Sequence, residues 1–130
     1  MKPADAILLT ADLAVRASLT TLVLEDNRLC GVYSDGSGGP FNADGLIAIS
    51  AALKQNTSLK TLSLARNDLA NKSPHAKGGM QLSGVQELAA ALAINASLMR
   101  VDVRLNSLGE EGEEVLRTAV EGRSGLELIL

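Results

Sequence analysis

The chain has 130 residues, which is one domain by length, and 46% of them are hydrophobic while only 2% are aromatic. Leucine (23) and alanine (18) together fill 41 positions, so the core is built from small and medium aliphatics in closely spaced layers rather than from rings bridging a wide gap. The formal charge of −3 disfavours a phosphate-binding surface and with it a nucleic-acid partner. One cysteine excludes an intrachain disulfide and one histidine a histidine-rich metal site; no apolar run approaches the roughly 18 residues of a membrane span.

The first predicted element is a helix within residues 1–17, with Pro3 near its first turn, where a missing N–H does no harm, and Leu9 and Leu13 on its apolar side. Met1-Lys2-Pro3 followed by Ala6 to Val15 has the outline of a signal peptide. Asp5 and Asp12 interrupt it and no small-residue cleavage site stands clear of it, so an intracellular, cytoplasmic protein is expected. The sequons at Asn56, Asn71 and Asn95 count only in a secreted chain and are read as chance.

Next comes a segment that recurs. SLTTLVLEDNRL, from Ser18 to Leu29, returns as SLKTLSLARNDL from Ser58 to Leu69 and as SLMRVDVRLNSL from Ser97 to Leu108; a fourth copy starts at Gly125-Leu126 and stops at Leu130. The shared form is L-x-x-L-x-L-x-x-N-x-L, with Val101 and Val103 in place of two leucines. Leu22 and Leu24 alternate with Thr21, Val23 and Glu25, the period-2 signature of a short strand with one buried face, and Leu62/Leu64 and Val101/Val103 repeat it. The other face then carries Thr21, Val23, Glu25; Thr61, Ser63, Ala65; and Arg100, Asp102, Arg104, with Arg66 just past a strand end. Arg66, Arg100, Asp102 and Arg104 are candidates for a polar recognition patch facing an acidic partner; the alternative is an ordinary solvated ion-pair network. Asn27, Asn67 and Asn106 fall where the chain leaves each strand, and their amides can satisfy backbone groups of the turn and of the next unit, giving a stacked ladder.

Each recurring segment leads to a helix. Asp44 to Gln55 places Leu46, Ile49 and Leu53 on one side, and Ser83 to Ile94 does the same with Val85, Leu88 and Leu92. Asp44 and Ser83 are read as N-caps. A third helix, about Glu110 to Glu121, opens with Glu110, Glu111, Glu113 and Glu114, where the helix dipole favours anions, and Gly122 suits its exit.

Two inserts separate strand end from helix start. Leu19 and Leu59 are 40 residues apart, Leu59 and Leu98 are 39, and Leu98 and Leu126 are 28. The excess lies at 31–43 (GVYSDGSGGPFNA) and 70–82 (ANKSPHAKGGMQL), on the same edge of adjacent units. Such insertions mark a binding face or merely tolerate length by packing on each other. Tyr33 is the candidate anchor of a partner; Phe41 is more at home under its own loop; His75, with Lys72, Lys77 and Met80 nearby, is the remaining candidate. Residues 34–39 are glycine-rich but lack the Lys-Ser/Thr of a phosphate loop, Asp35 and Asp44 do not give a calcium-loop alternation, and Cys30 sits in the repeat pattern as a buried structural thiol. No catalytic constellation emerges and no cofactor is expected.

The motif, with a helix after each copy, resembles the leucine-rich repeat family in its ribonuclease-inhibitor-like subclass. The resemblance covers the chain apart from the inserts: a half repeat at 1–17, repeats starting near 18, 58 and 97, and a partial repeat at 125–130, in a single domain. It implies an α/β fold, a right-handed βα solenoid with its parallel sheet on the concave side and helices on the convex side. It also implies a non-catalytic interaction module or scaffold that binds a protein partner through the concave sheet and the inserts. The alternative it raises is a regulator of a GTPase, as in the Ran GTPase-activating protein. The fourth strand has no helix after it; Leu126 and Ile129 align with Leu98 and Val101, whereas Leu128 and Leu130 fit the inward register less well. A partner subunit, a second copy or further repeats are expected to cover that edge.

Overall fold

A strand of three residues cannot stand alone, so each alternating segment is held by the copy before and the copy after it. The computed structural model describes residues 3–30, 41–70 and 81–130. In order they form α1 (Pro3–Val15), β1 (Thr21–Val23), α2 (Asp44–Gln55), β2 (Thr61–Ser63), α3 (Ser83–Ile94), β3 (Arg100–Asp102), α4 (Gly109–Val120) and β4 (Glu127–Ile129). The four strands make one open parallel sheet in sequence order, with Leu22 opposite Leu62, Leu62 opposite Val101, and Val101 opposite Leu128. The helices pack in the same sequence, α1 on α2, α2 on α3 and α3 on α4.

Equivalent side chains stack from unit to unit. Leu24, Leu64 and Val103, then Leu29, Leu69 and Leu108, then Leu46 with Val85, Ile49 with Leu88, and Leu53 with Leu92 are all buried in one cluster. Each buried aliphatic contributes about 1.5–3 kcal/mol, and the repeating spacing lets leucine fill the interior without rings. α3 approaches α2 through Gly84, where an added Cβ would stand 2.8 Å from Leu46 Cδ2 and 3.1 Å from Ala43 Cβ.

The asparagine ladder is continuous. Asn67 Oδ1 accepts the N–H of Asn27 at 2.9 Å, and its Nδ2 donates to the carbonyls of Leu24 (2.6 Å) and Leu64 (3.0 Å). Asn106 Oδ1 accepts from Asn67 N at 2.7 Å while its Nδ2 donates to Leu64 O (2.9 Å) and Val103 O (2.8 Å). A second ladder runs along the helix ends. Asn56 Nδ2 donates to Leu13 O and Asn95 Nδ2 to Leu53 O, both at 2.7 Å. In the last unit Arg123 takes over, reaching Leu92 O at 2.7 Å and Leu98 O at 3.1 Å. The same Asn56 and Asn95 amides accept from the backbone ahead of the next strand, at Leu59 N and Leu98 N. Two of the three sequon asparagines are therefore buried structural groups; Asn71 lies outside the described residues.

Four expectations are corrected. The strand-to-strand offset from Arg100 to Glu127 is 27, one residue shorter than the spacing of Leu98 and Leu126. Leu128 and Leu130 therefore turn inward against the core, and Ile129 lies opposite Asp102. A one-residue slip exchanges the faces of a strand, and this register packs the half-buried Leu128 and Leu130, rather than Ile129, against the core. Ser63, Ala65 and Asp102, expected as exposed sheet-face residues, are buried, because parallel neighbours crowd a central strand from both sides. Asp44 and Ser83 are first helical residues rather than caps, and neither helix has a side-chain cap at its N-cap residue. For α2 the Asp44 N–H is met by Asn42 Oδ1 at 2.8 Å. Gly122 is not left-handed; among the described glycines that conformation belongs to Gly109, at the start of α4.

Candidate functional site

The sheet face opposite the helices is flanked by the carboxyl ends of the strands, the edge from which both inserts leave. Four polar side chains on it, in two pairs, are fixed before any partner arrives. Arg104 grips the buried Asp102 with Nε at 3.0 Å from Oδ1 and Nη2 at 2.7 Å from Oδ2, and its backbone N–H adds a third donor at 3.0 Å. Those hydrogen bonds, with the charges of Arg104 and then Arg100, hold the Asp102 carboxyl below the usual carboxylate range against the opposing effect of burial. The same pair raises Arg104. Ser63 donates to Glu25 Oε1 at 2.7 Å.

Just past the strands the chain turns around each ladder asparagine, and the flanking residues adopt positive φ: Asp26 and Arg28, Arg66 and Asp68, Leu105 and Ser107, all between 52° and 58°. The hydrogen bonds of the asparagine shape the turn and carry the backbone strain of about 1 kcal/mol or more per non-glycine residue. One consequence is that Arg66 and Leu105 stand exposed at the rim. With Glu25, Ala65, Arg104 and Leu130 they line an open groove of about 610 Å3.

Of the sequence-derived candidates, Arg66, Arg100, Asp102 and Arg104 come together on this face and its rim. Phe41 does not; it is half-buried against the core, beside Ile47 and Leu82 where α2 and α3 begin. Tyr33 and His75 lie outside the described residues, as do Lys72, Lys77 and Met80. The first insert leaves and rejoins the fold at one point, since Asn42 N–H donates to Cys30 O at 2.9 Å. Burial, and secondarily the charge of Asp68, pushes the Cys30 thiol up to about 12, so it is protonated and unreactive at neutral pH. Sequence reasoning missed Leu105 and the partnership of Ser63 with Glu25. The available signal for Leu105 was a leucine at the position filled by Asp26 and Arg66 in the other copies.

Among the described residues no group of three or more His, Cys, Asp or Glu could hold a metal ion, and no helix is long and apolar enough to cross a membrane. No protein-family model and no curated protein matches this chain.

Proposed function

We propose that the chain is a leucine-rich repeat module of the ribonuclease-inhibitor-like kind, a right-handed βα solenoid that binds a protein partner without catalysis through its sheet face and the two strand-to-helix inserts. The observation that carries this reading is the polar sheet face itself. Among the described residues no helix packs over it, and Arg104–Asp102 and Ser63–Glu25 are already locked in place, so little side-chain entropy is lost on contact. The repeat motif and the asparagine ladder support the family reading, and the buried, protonated Cys30 supports a non-catalytic role.

The test is affinity purification of the tagged chain, followed by binding measurements on the recovered partner. Arg100→Ala and Arg104→Ala should weaken binding, more at low salt than at high salt. Unchanged binding at both salt levels moves the site off the sheet face. Stimulated GTP hydrolysis on addition of the chain to a recovered GTPase would replace the scaffold reading by a regulatory one.

A further inference from the structure

Resting on the binding-module reading, we infer that the groove at the carboxyl ends of β2 and β3 takes an extended acidic–apolar segment of a protein partner, with a carboxylate on Arg66 and a neighbouring apolar side chain on Leu105. The pairing of the charged side chains around the groove points to a carboxylate. Glu25 already accepts a hydrogen bond from Ser63, Arg104 is committed to Asp102, and Glu113 on the groove wall is paired with Arg117 at 3.1 Å. Arg66 is exposed, and among the described residues its guanidinium makes no hydrogen bond or ion pair. Among the charged residues lining the groove, Arg66 is thus the one without a side-chain partner, a planar cation that a carboxylate matches with two parallel hydrogen bonds.

The apolar half of the ligand follows from Leu105. It is 69% exposed, sits at φ 58° and does not belong to the core cluster. A branched apolar side chain is costly there on both counts, because glycine or asparagine adopts that backbone readily and a polar group suits the exposure. The core makes no use of the side chain, which leaves it available for contact at the rim of the groove. Arg66 and Leu105 occupy equivalent places in adjacent units, joined by the hydrogen bond from Arg66 N to Arg104 O at 3.1 Å. Adjacent strands lie about 4.8 Å apart, and side chains on one side of an extended peptide recur about every 6.6 Å. One acidic and one apolar side chain in register can therefore meet both residues. Between the columns of Glu25 and Arg104 the small Ala65 forms the floor, which makes the hollow.

The experiment is fluorescence anisotropy with three labelled peptides: one alternating Glu and Leu, one with Lys for Glu, and one with Ser for Leu. The Glu–Leu peptide should bind about tenfold tighter than either control. Arg66→Glu should weaken it about tenfold or more, and Leu105→Gly about fivefold or more. Leu105→Gly should at the same time raise the melting temperature, since glycine relieves the positive φ; loss of binding with gain of stability separates contact from misfolding. Equal binding of the Lys–Leu peptide, no binding of the Glu–Leu peptide at millimolar concentration, or indifference to both variants overturns the inference. A recovered partner sensitive to Arg100→Glu yet indifferent to Arg66→Glu and Leu105→Gly would leave the binding-module reading standing and remove this one.

Discussion

Truncating Asn67 to alanine tests the ladder where it is most heavily used. The side chain is fully buried; its Oδ1 accepts from Asn27 N at 2.9 Å and Leu29 N at 3.3 Å, and its Nδ2 serves Leu24 O, Leu64 O and Ala65 O. Asn67→Ala strands two amide N–H groups and the Leu24 carbonyl in a site that excludes water. At about 1–2 kcal/mol for each of the three orphaned buried groups, the loss is about 3–6 kcal/mol, a large part of the roughly 5–15 kcal/mol that holds a domain together. Asn27 is the internal control. It is half-buried, and among the described residues its side chain makes one hydrogen bond, to Glu25 O at 3.0 Å, so Asn27→Ala should cost about 1 kcal/mol or less. Asn67→Asp keeps the acceptors but turns a second oxygen toward three carbonyls. It should be no better than alanine at neutral pH and should recover partly in acid, when a protonated carboxyl can donate. With no tryptophan in the chain, urea unfolding followed by far-ultraviolet circular dichroism is the assay. Equal losses for Asn67→Ala and Asn27→Ala would refute the claim that burial and bond number set the strength of the ladder.

Gly84→Ala should destabilise by about 1–2 kcal/mol because the new Cβ meets Leu46 and Ala43. Gly122→Ala, with nothing within 4 Å, should change the urea midpoint little. Arg123→Met should cost about 1–2 kcal/mol by orphaning Leu92 O and Leu98 O, and Arg123→Asn should restore part of it if the residue stands in for Asn56 and Asn95. Cys30 should resist an aromatic disulfide reagent at about pH 8 and react only when urea opens the fold; rapid reaction in buffer would contradict its burial. Asp102 has a folded pKa below its ordinary value, so its stabilisation is present above about pH 4 and is lost as pH falls through the folded value. Urea midpoints at about pH 7 and pH 3 should therefore converge for the native chain and Asp102→Asn at the acid end; a constant gap would place the effect elsewhere.

Periodicity alone determined which residues form strands and helices and, for β1 to β3, α2 and α3, which side turns inward. Leu62 and Leu64, Val101 and Val103, Ile49 and Leu53, and Leu88 and Leu92 are all buried where alternation or the helical period places them. These are local properties: a side chain's face within its own element follows from the backbone repeat of that element. The recurring asparagine was equally plain, because a turn that leaves a strand needs an amide to satisfy its backbone. What neighbours decide could not be read this way. The register of β4 depended on Leu128 and Leu130 finding β3 and the core, against an apparent spacing that favoured Ile129; Leu126 packs on the core as expected. Asp102 is buried on the open face because Arg104 folds over it and strands crowd it on both sides. Arg123 does the work of an asparagine only because the Leu92 carbonyl lies within its reach, and Asn56 and Asn95 serve coils 40 residues away in the chain rather than their own turns alone. Leu105 becomes a surface feature through the left-handed turn that the Asn106 hydrogen bonds impose, and it meets Arg66 only when two units stack. A strand's alternation is written in five residues, whereas depth, register and the company a side chain keeps are fixed by backbone packed against it from elsewhere in the chain.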